Sequence, residues 1–321
     1  MDRQDRSRIC AAAKDTLAQI PGERKLAAVW AGAAAAAALL TSLVSLLLEN
    51  QISGTGGLSG MGLRGFLSTA QLALGLFTSI ALPFWTLGHG AASLEMSRKQ
   101  TARLGTLADG FRRFGPALRF FLLQGAVYLA VAILSLNVSS MLFSMTPQAA
   151  TAMELMMPLM ENPADFSDPA AEQAILEAVT AAMLPAILGW GVLFLLLSIP
   201  VSYRLRLAQL RLVDEPGCGA VYAALFSVQQ MRRNCFSLFL LDLRFWWFYL
   251  GEVVVVILCY GDILLPMLGV SLPFSRQTGS FIFYLLSMAA QLGLYVLAKN
   301  RVAVTYAKFY DSVTGQDRVP K

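Results

Sequence analysis

Basic residues are unevenly distributed along this chain of 321 residues. All but two of its 25 Lys and Arg residues fall in four short stretches, which alternate with pairs of long apolar runs. The stretches contain Arg3, Arg6, Arg8, Lys14, Arg24 and Lys25; Arg98, Lys99, Arg103, Arg112, Arg113 and Arg119; Arg204, Arg206, Arg211, Arg232, Arg233 and Arg244; and Lys299, Arg301, Lys308, Arg318 and Lys321. Because cytosolic loops of membrane proteins retain Lys and Arg, this pattern predicts an integral membrane protein with both termini in the cytosol.

The composition argues against an ordinary soluble domain. Hydrophobic residues make up 56% of the chain and charged residues 14%, against about 45 to 50% and about 25% in soluble domains. The net charge of +5 comes from residues that flank apolar runs and do not alternate with aromatic side chains. This arrangement indicates contact with anionic lipid headgroups and no nucleic-acid partner.

Six apolar runs are long enough to cross a bilayer, which requires about 20 residues of helix. The predicted fold is all-α: a polytopic membrane protein with six transmembrane helices and short amphipathic cytosolic helices. The membrane domain is expected at residues 26–301, between a basic cytosolic tail (1–25) and a cytosolic C-terminal tail (302–321). Its spans are expected near residues 26–48, 66–90, 117–144, 176–203, 238–268 and 279–299.

The fifth predicted span is too long for a simple transmembrane helix. Residues 238–268 would extend about 46 Å at 1.5 Å per residue, whereas the hydrocarbon core is about 30 Å thick. Part of this run must therefore tilt, break or lie in the interface. Aromatic rings prefer the headgroup boundary, so the cluster at residues 245–249 predicts that Asp242 and Arg244 lie at the cytosolic surface.

Two connecting segments are expected to be helical. On the cytosolic side, apolar residues recur with helical spacing after the turn signal at residues 214–217, which predicts an amphipathic helix on the membrane face. These residues are Ala220, Val221, Ala224, Leu225, Val228 and Met231. On the outer side, residues 146–177 contain six acidic residues and no basic one. The pairs Thr146-Pro147 and Asp168-Pro169 are typical of helix starts, with a capping side chain followed by proline.

The sequence contains no evident catalytic constellation, so the protein is expected to act without covalent catalysis, cofactor or metal. Residues 57–60 are similar to the nucleophile motif of rhomboid proteases, but the only histidine, His89, is predicted on the opposite side of the bilayer. Residues 260–262 and 310–311 also fall on opposite sides, which disfavours an intramembrane aspartyl protease. No paired spacing typical of a disulfide or a zinc site relates the four cysteines, Cys10, Cys218, Cys235 and Cys259.

Glu252 is the strongest candidate for a binding residue, and Asp242 and Arg244 are weaker candidates. An ionisable side chain within a span is costly and usually faces a polar cavity or a partner. A purely structural pair between helices is the open alternative. Candidate partners for Glu252 are Arg204, Arg206 and Arg244, with hydrogen bonds from Gln71, Gln124, Asn137 or Gln291.

The expected partners are membrane lipids, other membrane proteins and further copies of this chain. Anionic lipid is expected at the cytosolic ends of the third and fifth spans, on Arg112, Arg113, Arg232 and Arg233. Small residues at 31–38 allow close approach of helices and predict tight packing or a homo-oligomer.

The chain also resembles a known family. The resemblance is carried by Asp214, Pro216, Ala220, Ser227 and Met231, the string LFLLDLRFWWFYLGE at residues 238–252, residues 260–262 and 265–266, and residues 305–307 with 309–310. Together with GFRRF at residues 110–114 and FFLLQG at 120–125, these residues resemble the uncharacterised six-span integral membrane proteins of Firmicutes grouped as domain of unknown function 975. The resemblance implies a bacterial plasma-membrane protein of a Gram-positive organism. It also implies a distant similarity to the membrane portion beside some glycerophosphodiester phosphodiesterase domains, and no particular activity.

Two functions are compatible with these features. The preferred interpretation is a non-enzymatic integral plasma-membrane protein with an accessory, partner-binding or lipid-organising role. The alternative is a permease or exporter of small solutes or lipids with a polar site around Glu252. A permease needs polar groups that converge on a path through the bilayer, whereas an accessory protein can be filled with apolar side chains.

Overall fold

The structure is a computed structural model that describes residues 3–54, 58–99, 101, 103–161, 169–215, 217–261, 265 and 276–315. These residues are helical apart from short turns and contain no strand. The chain divides into two compact units, the first formed by residues 1–119 and 206–321 and the second by residues 120–205. The all-α prediction is therefore confirmed for the described part of the chain.

Twelve α-helices are defined in the described residues, joined in places by short segments of other helix types. A 3-10 helix at Leu104–Ala108 precedes α4, another at Leu243–Phe245 separates α9 from α10, and a π-helical segment at Tyr295–Lys299 joins α11 to α12. The α-helices are α1 (Arg3–Gln19), α2 (Glu23–Gly54), α3 (Leu58–Lys99), α4 (Asp109–Arg112), α5 (Phe114–Ser144), α6 (Pro147–Glu161), α7 (Pro169–Leu205), α8 (Ala208–Asp214), α9 (Ala220–Asp242), α10 (Trp246–Cys259), α11 (Arg276–Leu294) and α12 (Asn300–Thr314).

Five helical stretches among the described residues are long and apolar enough to cross a membrane. They are Glu23–Ser45, Phe66–Arg98, Phe114–Ser144, Ala181–Asp214 and Gly279–Thr314. Each overlaps one of the predicted spans, namely the first, second, third, fourth and sixth. Five such stretches indicate a multi-pass membrane protein.

The predicted fifth span does not form one continuous helix in its described part. The 3-10 turn at Leu243–Phe245 interrupts it, and α10 has only 14 residues. At 1.5 Å per residue α10 is about 21 Å long, shorter than the hydrocarbon core of about 30 Å. The excess length of this run predicted that part of it would tilt, break or lie in the interface, and the structure has a break at the start of the aromatic cluster. Residues 262–264 and 266–268 of this span lie outside the described residues, so a sixth span stays a prediction.

The predicted helix start at Pro147 is confirmed, since α6 begins there. The described part of α7 begins at Pro169, directly after residues 162–168, which lie outside the described residues, so the second predicted start stays a prediction. Proline suits the first helical position because its missing N–H would have no partner there. Thr146 differs from the prediction in its side chain. Its hydroxyl donates a hydrogen bond of 2.7 Å to the Phe143 carbonyl and so satisfies the end of α5. Asp168 lies outside the described residues.

The buried core of the first unit lies at one end of its long helices. Buried apolar residues are concentrated at 26–31 in α2, 84–96 in α3, 207–212 in α8 and 302–310 in α12. Large apolar side chains are exposed along the other parts of the same helices, at 40–47 in α2, 66–80 in α3 and 281–297 in and beyond α11. Lipid tails are as apolar as leucine, so these exposed parts suit a bilayer. We call the end with the buried core the basic end, because it carries Arg98, Arg112, Arg113 and Lys299.

The apolar residues predicted to form one face of α9 fall on two faces. Val221, Leu225 and Val228 are exposed, and their predicted position on the membrane surface stays a prediction. The residues that α9 buries are Ala220, Ala223, Ala224, Ser227, Met231, Ser237, Leu238 and Leu241. Small residues dominate this face because the Ser227 hydroxyl accepts a 3.1 Å hydrogen bond from the backbone N–H of Leu207, which brings α9 close to the start of α8.

The second unit is built on a close approach of α5 and α7. The Ser139 hydroxyl donates a 2.9 Å hydrogen bond to the Ala186 carbonyl, and the Trp190 indole N–H donates one of 3.3 Å to the Ala132 carbonyl. A methyl group at Gly189 would lie 3.3 Å from the Ser139 hydroxyl oxygen. Small and hydroxylated residues therefore hold this helix pair together, as expected where no water drives helix association.

Candidate functional site

Glu252 is isolated among apolar residues. Six stretches of the sequence, here called the apolar segments, contain no other Asp, Glu, Lys or Arg residue; they are residues 31–48, 66–83, 120–146, 178–203, 246–261 and 279–298. The Glu252 side chain is half-buried on α10. It lies close enough to the Tyr295 hydroxyl and the Lys299 ammonium to interact with them electrostatically. Both partners belong to the π-helical segment between α11 and α12.

The Lys299 ammonium lies among three aromatic rings. Its Nζ atom is 5.0 Å from the ring centroid of Tyr295, 5.2 Å from that of Trp30 and 5.7 Å from that of Phe248. Each distance is short enough for a cation–π attraction. Gln291 adds a hydrogen bond of 3.2 Å to the Tyr295 hydroxyl. π-Helical turns are frequent at functional sites, and this one contains both Tyr295 and Lys299.

The partners of Glu252 differ from those predicted. Lys299 and Tyr295 lie near Glu252, where Arg206 or Arg244 was expected. Arg204 belongs to the second unit. Of the four predicted amide donors, Gln291 comes near Glu252 only through Tyr295. Tyr295 and Lys299 are 43 and 47 residues from Glu252 in the sequence, so no local spacing indicated that they would lie near it.

Asp242 belongs to a separate polar group at the basic end. It accepts a hydrogen bond from the Tyr306 hydroxyl, which is also 2.8 Å from the Tyr249 hydroxyl. The Arg206 guanidinium lies over the Tyr306 ring, 4.5 Å from its centroid. Arg244, the third predicted binding residue, is exposed in the 3-10 turn after α9.

The four arginines predicted to contact lipid are not equivalent. Arg232 and Arg233 are exposed on α9, and Arg112 is exposed with a 2.8 Å ion pair to Asp109. Arg113 is half-buried and donates hydrogen bonds to the backbone carbonyls of Leu212 and Glu215. Arg113 therefore fastens the start of α5 to the end of α8, a structural role that its sequence position did not reveal.

A network around Arg98 was missed by the sequence interpretation. The Arg98 guanidinium pairs with Asp214 at the end of α8 and, at 2.5 Å, with Asp311 of α12. Tyr310 donates a 2.9 Å hydrogen bond to Asp214, and Ser97 donates one of 3.3 Å to Asp311. The two carboxylates are only 10% and 7% exposed. The network therefore joins three helices that are far apart in sequence.

His89 is a buried structural residue. Its Nε2 atom is 2.9 Å from the Asn300 side-chain oxygen, and the Asn300 amide donates to the backbone carbonyl and the carboxylate of Glu23. The imidazole also packs against the Trp30 ring, with 4.9 Å between centroids. These contacts tie α2, α3 and α12 together at the basic end.

A polar cavity of about 450 Å³ opens at the basic end between α3, the first 3-10 helix, α4 and the end of α8. Six charged residues line it, three arginines and three carboxylates: Arg98, Arg103, Arg112, Glu95, Asp109 and Asp214. Apolar wall residues include Leu94 and Val213. The sequence interpretation did not identify this cavity, because it is assembled from three separate segments.

Cys218 is buried beside the turn that follows α8. Burial raises the pKa of its thiol, and the negative charge of Glu215 adds to the increase. Because the thiolate is the reactive form of cysteine, Cys218 is poorly suited to nucleophilic chemistry at neutral pH. Among the residues that the structure describes, no three His, Cys, Asp or Glu side chains are grouped so as to hold a metal ion.

Comparisons with protein-family models, curated proteins and solved structures gave no match to this chain. The fold and the geometry of the basic end are therefore the grounds on which a function is inferred.

Proposed function

We propose that this chain is a non-enzymatic integral plasma-membrane protein with an accessory role, in which its basic end binds lipid headgroups or a membrane partner. The observation that carries this proposal is the segregation of charge. The apolar segments contain a single charged residue, Glu252, whereas the ion pairs and the polar cavity lie at the basic end of the first unit.

This distribution favours binding at the membrane surface over transport through the bilayer. A charged side chain at the bilayer centre costs roughly 2.5 to 3.5 kcal/mol on insertion scales, so membrane proteins keep such residues where a pathway needs them. Here the one carboxylate has a hydroxyl and an ammonium group as its partners. No covalent step is needed for the proposed role.

Neutralising the exposed arginines is expected to weaken retention of anionic lipid. Arg112, Arg232 and Arg233 are exposed, and each basic residue near an anionic surface contributes about 1 kcal/mol, equivalent to about fivefold in affinity. Changing all three to Gln should therefore reduce phosphatidylglycerol adducts in native mass spectra of the purified protein. Arg113 is left intact because it bonds to backbone carbonyls.

The matched control is the triple change of the same residues to Lys, which keeps the charge and should keep most of the bound phosphatidylglycerol. Unchanged phosphatidylglycerol retention in the Gln variant would contradict the proposal that these arginines hold anionic lipid.

A permease or exporter of small solutes or lipids is the second candidate function. The observation in its favour is the group formed by Glu252, Tyr295 and Lys299 on a π-helical segment, bordered by Trp30 and Phe248. Such a group inside a bundle offers a polar solute both a negative carboxylate and a positive ammonium group. In that case Glu252 would be the residue on which transport depends.

Substitution of Glu252 separates the two functions. Glu252→Gln should keep the fold, because Gln has the same shape and stays polar. Glu252→Leu should lower the free energy of unfolding by about 1 kcal/mol, because it removes the carboxylate near the half-buried Lys299 ammonium, while the Tyr295 hydroxyl keeps its hydrogen bond from Gln291. Stopped-flow light scattering of proteoliposomes, with glycerol and glycine as probes, measures permeability. The accessory role predicts permeability equal to that of empty liposomes, whereas faster swelling that Glu252→Gln abolishes would establish the permease.

We further propose six spans with both termini cytosolic, in the plasma membrane of a Gram-positive bacterium, as the resemblance to the Firmicutes family implies. In this topology α6 faces outside and the loop that contains the first 3-10 helix faces inside. A single cysteine at the exposed position Ala150 should react with a membrane-impermeant thiol reagent on intact cells. A cysteine at the exposed position Ala108 should react only after lysis, and the reverse result would refute this orientation.

A further inference from the structure

The charges in the polar cavity are arranged by depth. The carboxylates of Glu95 and Asp214 are 11% and 10% exposed, whereas the side chains of Arg103 and Arg112 are 75% and 78% exposed. Arg98 and Asp109 are intermediate, at 33% and 34% exposed, and each is already in an ion pair, with Asp214 and Arg112 respectively. The most buried charges of the cavity are therefore carboxylates, and the most exposed are guanidinium groups. A ligand that matches this arrangement carries a positive group at its inner end and a negative group at its outer end.

Glu95 is the interior group that is best placed to bind a cation. It accepts hydrogen bonds from the hydroxyls of Thr106 at 2.5 Å and Thr101 at 3.2 Å, while the Arg103 Nε atom is 3.6 Å away. Ion pairs with such exposed partners contribute only about 0 to 1 kcal/mol, so a ligand can displace Arg103 at little cost. Asp214 differs, because Arg98 and Tyr310 already bind it.

We propose that this cavity binds a zwitterion, whose primary ammonium group contacts Glu95 and whose phosphate or carboxylate contacts Arg103 and Arg112. Guanidinium groups bind these anions through paired hydrogen bonds. The volume of about 450 Å³ lies within the range of about 300 to 1,000 Å³ that is typical of small-molecule sites. This inference rests on the proposed binding role of the basic end and specifies the ligand class of one site there.

The position of the cavity along α3 bears on the source of such a ligand. Ile80 is the last large exposed apolar residue of α3, and the cavity is lined by residues 91–98 of this helix. At 1.5 Å per residue, these residues lie about 17 to 27 Å beyond Ile80, further than a headgroup layer of roughly 5 to 8 Å extends. A free zwitterion is therefore the expected ligand, and the headgroup of an aminophospholipid, which has the same chemistry, is the other source that the test distinguishes.

The test compares primary and quaternary amines on the full-length protein in phosphatidylcholine nanodiscs. One arm titrates O-phosphoethanolamine and phosphocholine by calorimetry, and the other compares retention of phosphatidylethanolamine and phosphatidylcholine by native mass spectrometry. We expect at least a tenfold preference for the ethanolamine compound in one arm, because a quaternary ammonium has no N–H to donate to Glu95. Glu95→Gln should remove this preference. Glu154→Gln, which changes an exposed carboxylate of α6, should keep it.

The outcome of each arm has a distinct meaning. A preference in the calorimetric arm identifies a free zwitterion, and a preference in the nanodisc arm identifies the lipid headgroup. Equal binding of both amines in both arms overturns the proposal, as does a preference that survives Glu95→Gln.

A second variant keeps the test decisive if Glu95→Gln fails to fold. Arg103→Gln changes a side chain that is 75% exposed, so it should leave the fold intact and weaken binding of the anionic group by about fivefold or more; unchanged affinity overturns the proposal. Retention of phosphatidylglycerol depends also on Arg232 and Arg233, which do not line the cavity. That retention should therefore persist if this inference alone fails.

Discussion

Replacing Gly88 by alanine is expected to destabilise the protein by about 3 kcal/mol, the upper end of the usual range for overpacking. A Cβ atom at this position would lie 1.8 Å from the carbonyl oxygen of Leu107 and 2.6 Å from its carbonyl carbon. Both are backbone atoms of the first 3-10 helix, so no side-chain rotation relieves the clash. Thermal unfolding in detergent, followed by intrinsic tryptophan fluorescence, measures the loss.

The matched control is Gly90→Ala, two residues further along the same helix. Its Cβ atom would lie 3.7 Å from a methyl carbon of Leu210, an ordinary van der Waals distance. Alanine is favoured over glycine by up to about 1 kcal/mol within a helix, so this variant should be neutral or more stable. Gly110→Ala tests the same packing from the opposite side, because its Cβ would lie 2.0 Å from the Phe84 carbonyl oxygen.

The control result decides how the Gly88 result is interpreted. If Gly88→Ala and Gly110→Ala are as stable as Gly90→Ala, then the first 3-10 helix and α4 do not pack against α3 as described. The polar cavity would then lose one of its walls, and the zwitterion proposal would lose its structural basis.

The features of the fold that follow from local pattern were predictable from the sequence. The length of an apolar run indicates whether a helix can cross a bilayer, and five of the six predicted runs coincide with helical stretches of that kind. Pro147 marked the start of α6 because the effect of proline depends only on the residue itself. The excess length of the fifth apolar run predicted a tilt, a break or an interfacial segment, and the structure has a break at Leu243–Phe245.

The position of the membrane surface along a continuous helix was harder to predict. The pair Arg232 and Arg233 indicated the end of a cytosolic helix and the start of a span. In the structure, however, α9 runs without interruption from Ala220 to Asp242. Basic side chains are tolerated anywhere on an exposed helix face, so their position marks neither a turn nor a helix end.

The candidate sites likewise contain features that the sequence alone predicts and features that depend on the fold. Glu252 could be selected from the sequence because the cost of a charge in an apolar run is a property of that run alone. Its partners could not, since Tyr295 and Lys299 lie more than 40 residues away on another helix. The cavity was equally hidden, because Glu95, Thr106 and Asp214 meet only after three separate segments have packed.

The second large effect is expected from Arg98→Met, which removes the guanidinium and keeps an unbranched apolar stem. Asp214 and Asp311, which are 10% and 7% exposed, would each lose their contact with this cation. Breaking a buried ion pair in this way costs about 3 to 5 kcal/mol, mostly from the uncompensated buried charge. Arg98 itself is 33% exposed, and water can partly replace it, so we expect a loss near the lower value. Thermal unfolding of the purified protein measures this loss.

The origin of the effect can be separated from a simple loss of packing by two further variants. Arg112→Met removes an arginine that is 78% exposed, so it should change the free energy of unfolding by less than about 1 kcal/mol. Adding Asp311→Asn to Arg98→Met should recover part of the stability, because one of the two uncompensated carboxylates then becomes neutral. If the double variant is no more stable than Arg98→Met, the cost arises from lost packing of the arginine stem. The network joining α3, α8 and α12 would then stabilise the basic end by packing and contribute little electrostatic stability.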